Sequence, residues 1–117
     1  MADTVRVSHL LIKHSGSRRP ASWRDPNGDR IRATAKADAV SQLNALRARI
    51  VAGEQDFGSL AQQLSDCSSA AQKGDLGPFG RGAMQRAFEE AAFSLEVGEL
   101  SGVVDTDSGV HLVLRTA

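Results

Sequence analysis

Residues 5–13, VRVSHLLIK, constrain the fold more than any other stretch. Alternate side chains of a strand share a face. Val5, Val7, His9, Leu11 and Lys13 therefore point one way, and Arg6, Ser8, Leu10 and Ile12 the other. In the second half both faces are largely apolar, which places the strand at the centre of a sheet with cover on both sides. His9 then lies in or beside the core, and Lys13 at the strand's exit.

The other elements follow from spacing and punctuation. Val103-Val104 and Val110–Arg115 read as strands joined by Asp105-Thr106-Asp107-Ser108-Gly109, turn residues at hairpin spacing, with His111 alternating with Leu112. A helix is predicted over Ala33–Ala52, with Thr34 as N-cap, an apolar stripe of Val40, Leu43, Leu46 and Ile50, and Gly53 as its stop. A shorter one runs Asp56–Leu64, capped by Asp56, with Phe57, Leu60, Ala61 and Leu64 inward. A third runs Met84–Leu95, with Met84, Phe88, Ala91 or Ala92, and Leu95 on one side and Gly98 as its end. The segment before it is a short strand or loop. Residues 14–32 read as a long loop, broken by Gly16, Pro20, Pro26 and Gly28, with Trp23 expected to anchor it. The order gives a single α+β domain over residues 1–117, a small antiparallel sheet with helices packed around it.

An apolar content of 41% suffices for one core, but with no tyrosine and one tryptophan the packing must be mostly aliphatic. A single cysteine excludes an internal disulfide and a multi-thiolate metal site. No apolar run approaches a membrane span and no signal-peptide pattern begins at Met1, so the expectation is a soluble, intracellular chain, in the cytoplasm or also the nucleus. Fourteen basic and fourteen acidic residues balance, which argues against bulk nucleic-acid binding. The charges are nonetheless segregated. Residues 4–24 carry Arg6, Lys13, Arg18, Arg19 and Arg24 and no acid; residues 87–114 carry six acids and no lysine or arginine. A local basic cluster of that kind suits a small anion.

Cys67 lies in Ser65–Phe88, which runs through Gly74, Gly77, Gly80 and Gly82 to Met84 and Phe88. A thiol, a glycine-shaped backbone and a Met/Phe pair suggest a small apolar pocket with a polar atom at its lip. The alternative is a surface loop with Cys67 packed as a small core residue. Cys67, His9 and His111 are the candidates for a polar site. A cysteine hydrolase would use the same residue types, but no protease signature surrounds Asp66-Cys67-Ser68. Zinc would use them too, but CxxC and HxxH spacings are missing. Lys13, Arg18 and Arg19 could clamp an anion, since guanidinium forks match phosphate oxygens, or could form a solvated basic loop. Residues 77–82, GPFGRG, lack the endings of nucleotide-binding loops.

Together, SHLLIKH (Ser8–His14), SGSRRPASW (Ser15–Trp23), FGSLAQQLSDCSSA (Phe57–Ala70), GDLGPFGRGAMQRAFEEAAFSL (Gly74–Leu95) and DTDSGVHLVLRT (Asp105–Thr116) resemble the parvulin family of peptidyl-prolyl cis/trans isomerases, specifically its phosphate-directed Pin type. The resemblance implies an FKBP-like superfold, a four-stranded antiparallel sheet flanked by helices. It implies isomerisation of phospho-Ser/Thr-Pro bonds by a single catalytic domain without a WW domain. Phosphorylated Ser/Thr-Pro proteins would be the partners, with neither nucleic acid nor membrane, and the chain would act as a monomer without cofactor or metal. Position by position, Lys13, Arg18 and Arg19 match the phosphate-binding cluster. Leu76, Met84 and Phe88 match the proline pocket, with Gln85 nearby. Cys67, His9, His111, Thr106 and Ser108 match the polar ring around the isomerising bond. The chain departs from the common pattern at Ala87, at Gly80 and in the longer segment Asp25–Asp29.

Two further expectations follow. Non-covalent twisting of the amide is preferred for Cys67 over transient attack. His9 and His111 should hydrogen-bond each other, with protonation mattering near pH 6–7. The competing class is a non-catalytic module that captures phospho-Ser/Thr-Pro segments.

Overall fold

Strand β1 (Thr4–Ile12) is the centre of the molecule. In this computed structural model, residues 4–117 are described; the expectation about a leader at Met1 falls outside them. On one side β1 pairs with β2 (Asp75–Gly80), and on the other with β4 (Gly109–Arg115), which pairs with β3 (Val104–Thr106). The sheet is four-stranded and antiparallel throughout, in the order β2-β1-β4-β3. The central place predicted for β1 is the one it occupies.

The two apolar faces of β1 meet different helices. Leu10 and Ile12, with Val110 and Leu112 of β4, pack against α2 (Lys36–Val51) and α3 (Phe57–Leu64) through Leu43, Leu46, Phe57 and Leu60. Val5 and Val7, with Val113, pack on the other face against Phe79 and against Phe88, Ala92 and Leu95 of α4 (Arg86–Ser94) and its end. Each fully buried aliphatic or aromatic side chain contributes roughly 1.5–3 kcal/mol, so this two-sided burial drives the fold.

Helix boundaries differ from the sequence reading in instructive ways. Asp56 caps α3 as expected, its carboxylate accepting the Ser59 amide at 3.0 Å. Gly53, at φ +76°, terminates α2 as expected. Thr34 does not cap α2. Its hydroxyl donates backwards to the Arg30 carbonyl at 2.7 Å, closing a short helix α1 (Asp29–Arg32) inside the segment read as loop, and α2 starts later, at Lys36. Met84 precedes α4 rather than opening it, and Gln85 is the N-cap residue. At its far end α4 stops at Ser94, four residues before Gly98, whose amide instead donates to the Arg115 carbonyl.

The segment before α4 resolves as strand β2 despite its composition, DLGPFG. It pairs only with β1, so Pro78 costs no ladder bond on the open edge. Gly74 leads into it at φ +89°, and its carbonyl accepts the His9 amide at 2.9 Å. A Cβ there would stand 2.4 Å from the His9 carbonyl oxygen, so only glycine lets the chain pass this close to β1.

Candidate active site

His9 and His111 reach one face of the sheet from different strands. His9 on β1 is paired with Val113 and His111 on β4 with Leu11, so the two histidines are diagonal neighbours. Their Nδ1 atoms lie 3.0 Å apart, and their rings are near-parallel with centroids 5.2 Å apart. One proton must lie between the two nitrogens, because two donors or two acceptors would repel. His9 Nε2 meets Ser69 Oγ at 3.1 Å, and His111 Nε2 meets Thr106 Oγ1 at 2.7 Å. Each ring nitrogen thus has a protein partner. Burial, and then the His9 charge, push His111 down to about 3, so it stays neutral at physiological pH.

Cys67 completes this row. Burial alone would raise its thiol, but hydrogen bonds from the His9 and Ser69 side chains, the His9 charge and the Ser69 backbone amide outweigh it and hold the thiol at about 6. At neutral pH the sulfur is mostly thiolate. Its position depends on Ser65, a fully buried serine whose Oγ accepts the Leu11 amide at 3.0 Å and the Cys67 amide at 3.4 Å.

The row borders a cavity of 190 Å³ lined by His9, Cys67, Leu76, Met84, Gln85, Phe88, Ser108 and His111. Phe88 forms its floor, with ring centroids 5.5 Å from His9 and 5.2 Å from His111. One wall is latched. The Gln85 amide nitrogen donates to Ser108 Oγ at 2.8 Å, and its carbonyl accepts the Asp107 amide at 3.1 Å. This ties the N-cap of α4 to the β3–β4 turn. Eight residues from five separate stretches of sequence therefore converge on one apolar hollow with a polar rim.

The basic residues stand next to it. The Arg18 amide donates to the Asp107 carbonyl at 2.8 Å, fixing the loop to the same turn that carries Ser108. Lys13 Nζ donates to the Ala21 carbonyl at 2.7 Å. Burial lowers the Lys13 pKa, as does the charge of Arg19 nearby, while Asp66 and Cys67 act the other way. The side chains of Arg18 and Arg19 are exposed and form no ion pair with any carboxylate among the described residues. Trp23 does anchor the loop, but by hydrogen bonding rather than burial. It is 53% exposed, and its indole N–H donates to the Ser65 carbonyl at 2.8 Å and the Cys67 carbonyl at 3.1 Å.

Comparison with known proteins supplies the assignment. Residues 9–117 match the family model described as Rotamase, PPIC-type PPIase domain. The chain belongs to this family of parvulin-type peptidyl-prolyl isomerases. It is 62% identical over 114 residues to the peptidyl-prolyl cis-trans isomerase Pin1 of Malus domestica, covering 97% of this chain and 94% of that protein. It is 56% identical to the protein of the same name from Arabidopsis thaliana, covering 98% and 97%. The peptidyl-prolyl isomerase ESS1 from Candida albicans superposes with a TM-score of 0.94 at 48% identity, over 98% of this chain and 63% of that one. The parvulin fold expected from the motifs is the one found.

Three residues of this isomerase that support the site were not singled out from sequence. Ser69 holds His9, Ser65 holds Leu11 and Cys67, and Asp66 holds the basic loop. Asp66 is 2% exposed, and its carboxylate accepts the Lys13 amide and the Ser22 hydroxyl, each at 2.9 Å, and pairs with Arg30. The one available signal was their adjacency to Cys67 in SDCSS.

Proposed function

We propose that this isomerase acts on bonds between phosphorylated Ser or Thr and proline, and that it does so by stabilising the twisted amide without a covalent intermediate. The observation that carries the reading is a loop fastened at two points to the rim of an apolar cavity, whose Arg18 and Arg19 are exposed and form no ion pair among the described residues. Arg18 is tied to the turn of Ser108, and Trp23 to the carbonyl of Cys67. A ligand with an apolar ring and a dianion one residue apart matches that arrangement.

Rotation about the peptide bond is opposed by ~18–20 kcal/mol because the nitrogen lone pair delocalises into the carbonyl. No bond need be made or broken to lower this barrier; the site must favour the twisted amide over both planar forms. Leu76, Met84 and Phe88 hold the pyrrolidine ring. Lys13, Arg18 and Arg19 hold the phosphate on the other side of the bond. With both flanks fixed, the carbonyl between them swings past Cys67. A thiolate there repels the negative charge that delocalisation places on the carbonyl oxygen, which disfavours the planar amide. The neutral His111 and its partner His9 fix the thiolate in place.

Exchange NMR on a phosphorylated Ser-Pro peptide tests turnover against capture. Cis/trans cross-peaks at substoichiometric protein are expected. Binding shifts with no exchange above background would make the domain a capture module instead, and cleavage of the peptide would make it a hydrolase.

A further inference from the structure

A second cavity lies on the opposite face of β1 from His9 and His111, between α2, α3 and the segment that carries α1. It encloses 260 Å³. Ile12, Leu46 and Leu64 form an apolar floor, and Arg24, Arg30 and Arg49 stand around it. Three guanidiniums here face two carboxylates, those of Asp66 and Asp25. Asp66 lies 3.8 Å from Arg24 and pairs with Arg30, and it also accepts the Lys13 amide and the Ser22 hydroxyl. Arg24 also donates to the Leu64 carbonyl, closing the end of α3. Arg49 is exposed and pairs with no carboxylate among the described residues. Burial, and then the neighbouring Arg30, lower the Arg24 pKa, while Asp66 and Asp25 act the other way.

An apolar floor with a surplus of guanidinium at its rim selects for a ligand with two parts. We propose that this cavity binds a small amphiphilic monocarboxylate, its hydrocarbon body on Ile12, Leu46 and Leu64 and its head forked by the free guanidinium of Arg49. Guanidinium and carboxylate match in bidentate geometry, and the pairing is stronger beside apolar surface than in open water. Pockets for drug-sized ligands begin at roughly 300 Å³, so the occupant is smaller than that, one ring on a short chain. The cavity is not isolated from the active site. Arg30 lines the same cavity as Arg49, and Arg30 and the Lys13 amide meet on the two oxygens of Asp66, so a carboxylate seated on Arg49 beside Arg30 is felt at Lys13.

The test is an NMR titration of the isotope-labelled chain with 4-phenylbutyrate. Acetate serves as the head without the body and 4-phenylbutanol as the body without the head. Saturable shifts at Leu46, Arg49 and Leu64, extending to the Lys13 amide, are expected with 4-phenylbutyrate. Neither control should saturate in the same range, and Arg49→Ala should weaken binding at least fivefold while leaving the rest of the spectrum in place. Equal shifts with 4-phenylbutanol, affinity unchanged in Arg49→Ala, or shifts confined to the cavity of Cys67 would each overturn the proposal. The readout is binding rather than turnover, so it stands apart from the reaction proposed above.

Discussion

His9 and His111 face each other through like atoms, Nδ1 to Nδ1 at 3.0 Å, which only a pair sharing one proton can do. His111 is held near 3, well below the ordinary 6.5, by burial first and the His9 charge second. The unfolded chain therefore binds a proton at this position that the folded chain refuses. Between those two values the folded state binds fewer protons, so stability falls as pH drops from about 6.5 toward 3. Urea midpoints should decline over that window, and His111→Asn should flatten the decline. An equally steep decline in the variant contradicts a neutral, buried His111.

For Cys67 the direction is the same but the consequence is chemical. With the thiol near 6, alkylation by iodoacetamide should rise through a midpoint near pH 6 and level off by about pH 7. Ser69→Ala removes one of the groups that lower it and should move the midpoint upward. A wild-type midpoint near the ordinary thiol value contradicts this account of the site.

Asp66 should be read out through the loop it holds. Asp66→Asn places an N–H₂ group where the carboxylate accepts the Lys13 amide or the Ser22 hydroxyl, and leaves Arg30 unpaired. Breaking a fully buried pair costs roughly 3–5 kcal/mol; Arg30 is 36% exposed, so the loss here should be on the order of 2 kcal/mol. Urea denaturation measures it. KM for phosphorylated substrates should rise with kcat little changed, because the residue places the clamp and touches no reacting atom. A fall in kcat alone contradicts that role.

How much of this was legible depended on whether a signal was periodic. Both faces of β1 were apolar in alternation and Asp56 stood three residues before the amide it caps, and both are found where the spacing put them; the hairpin is found too, but β3 takes Asp105 and Thr106 from the segment read as turn, which leaves only Asp107 and Ser108 to turn the chain. β2 left no such trace, because Gly and Pro are poor strand formers and its pairing is imposed by β1. Thr34 looked like a cap, but its hydroxyl had a closer acceptor in Arg30. The carbonyls that hold Trp23 and the carboxylate that holds Arg30 lie 36–44 residues away in sequence, with no period to link them.

Met84 separates the two halves of the proposed substrate grip. It lines the cavity, is only half-buried and lies outside α4, so Met84→Ala should fold normally. At about 0.8 kcal/mol per buried methylene, the lost contact should lower kcat/KM about tenfold. The loss should be the same for phosphorylated and unphosphorylated Ser-Pro peptides. A loss confined to the phosphorylated peptide contradicts the assignment of this cavity to proline.

The clamp makes the opposite demand, and it is the most direct test. In the Arg18→Ala, Arg19→Ala double variant, kcat/KM should fall about a hundredfold on a phospho-Ser-Pro peptide. On an Ala-Pro peptide it should stay within about twofold of wild type. Equal losses on both peptides would mean that the loop is a solvated face and that phosphate is not what it holds.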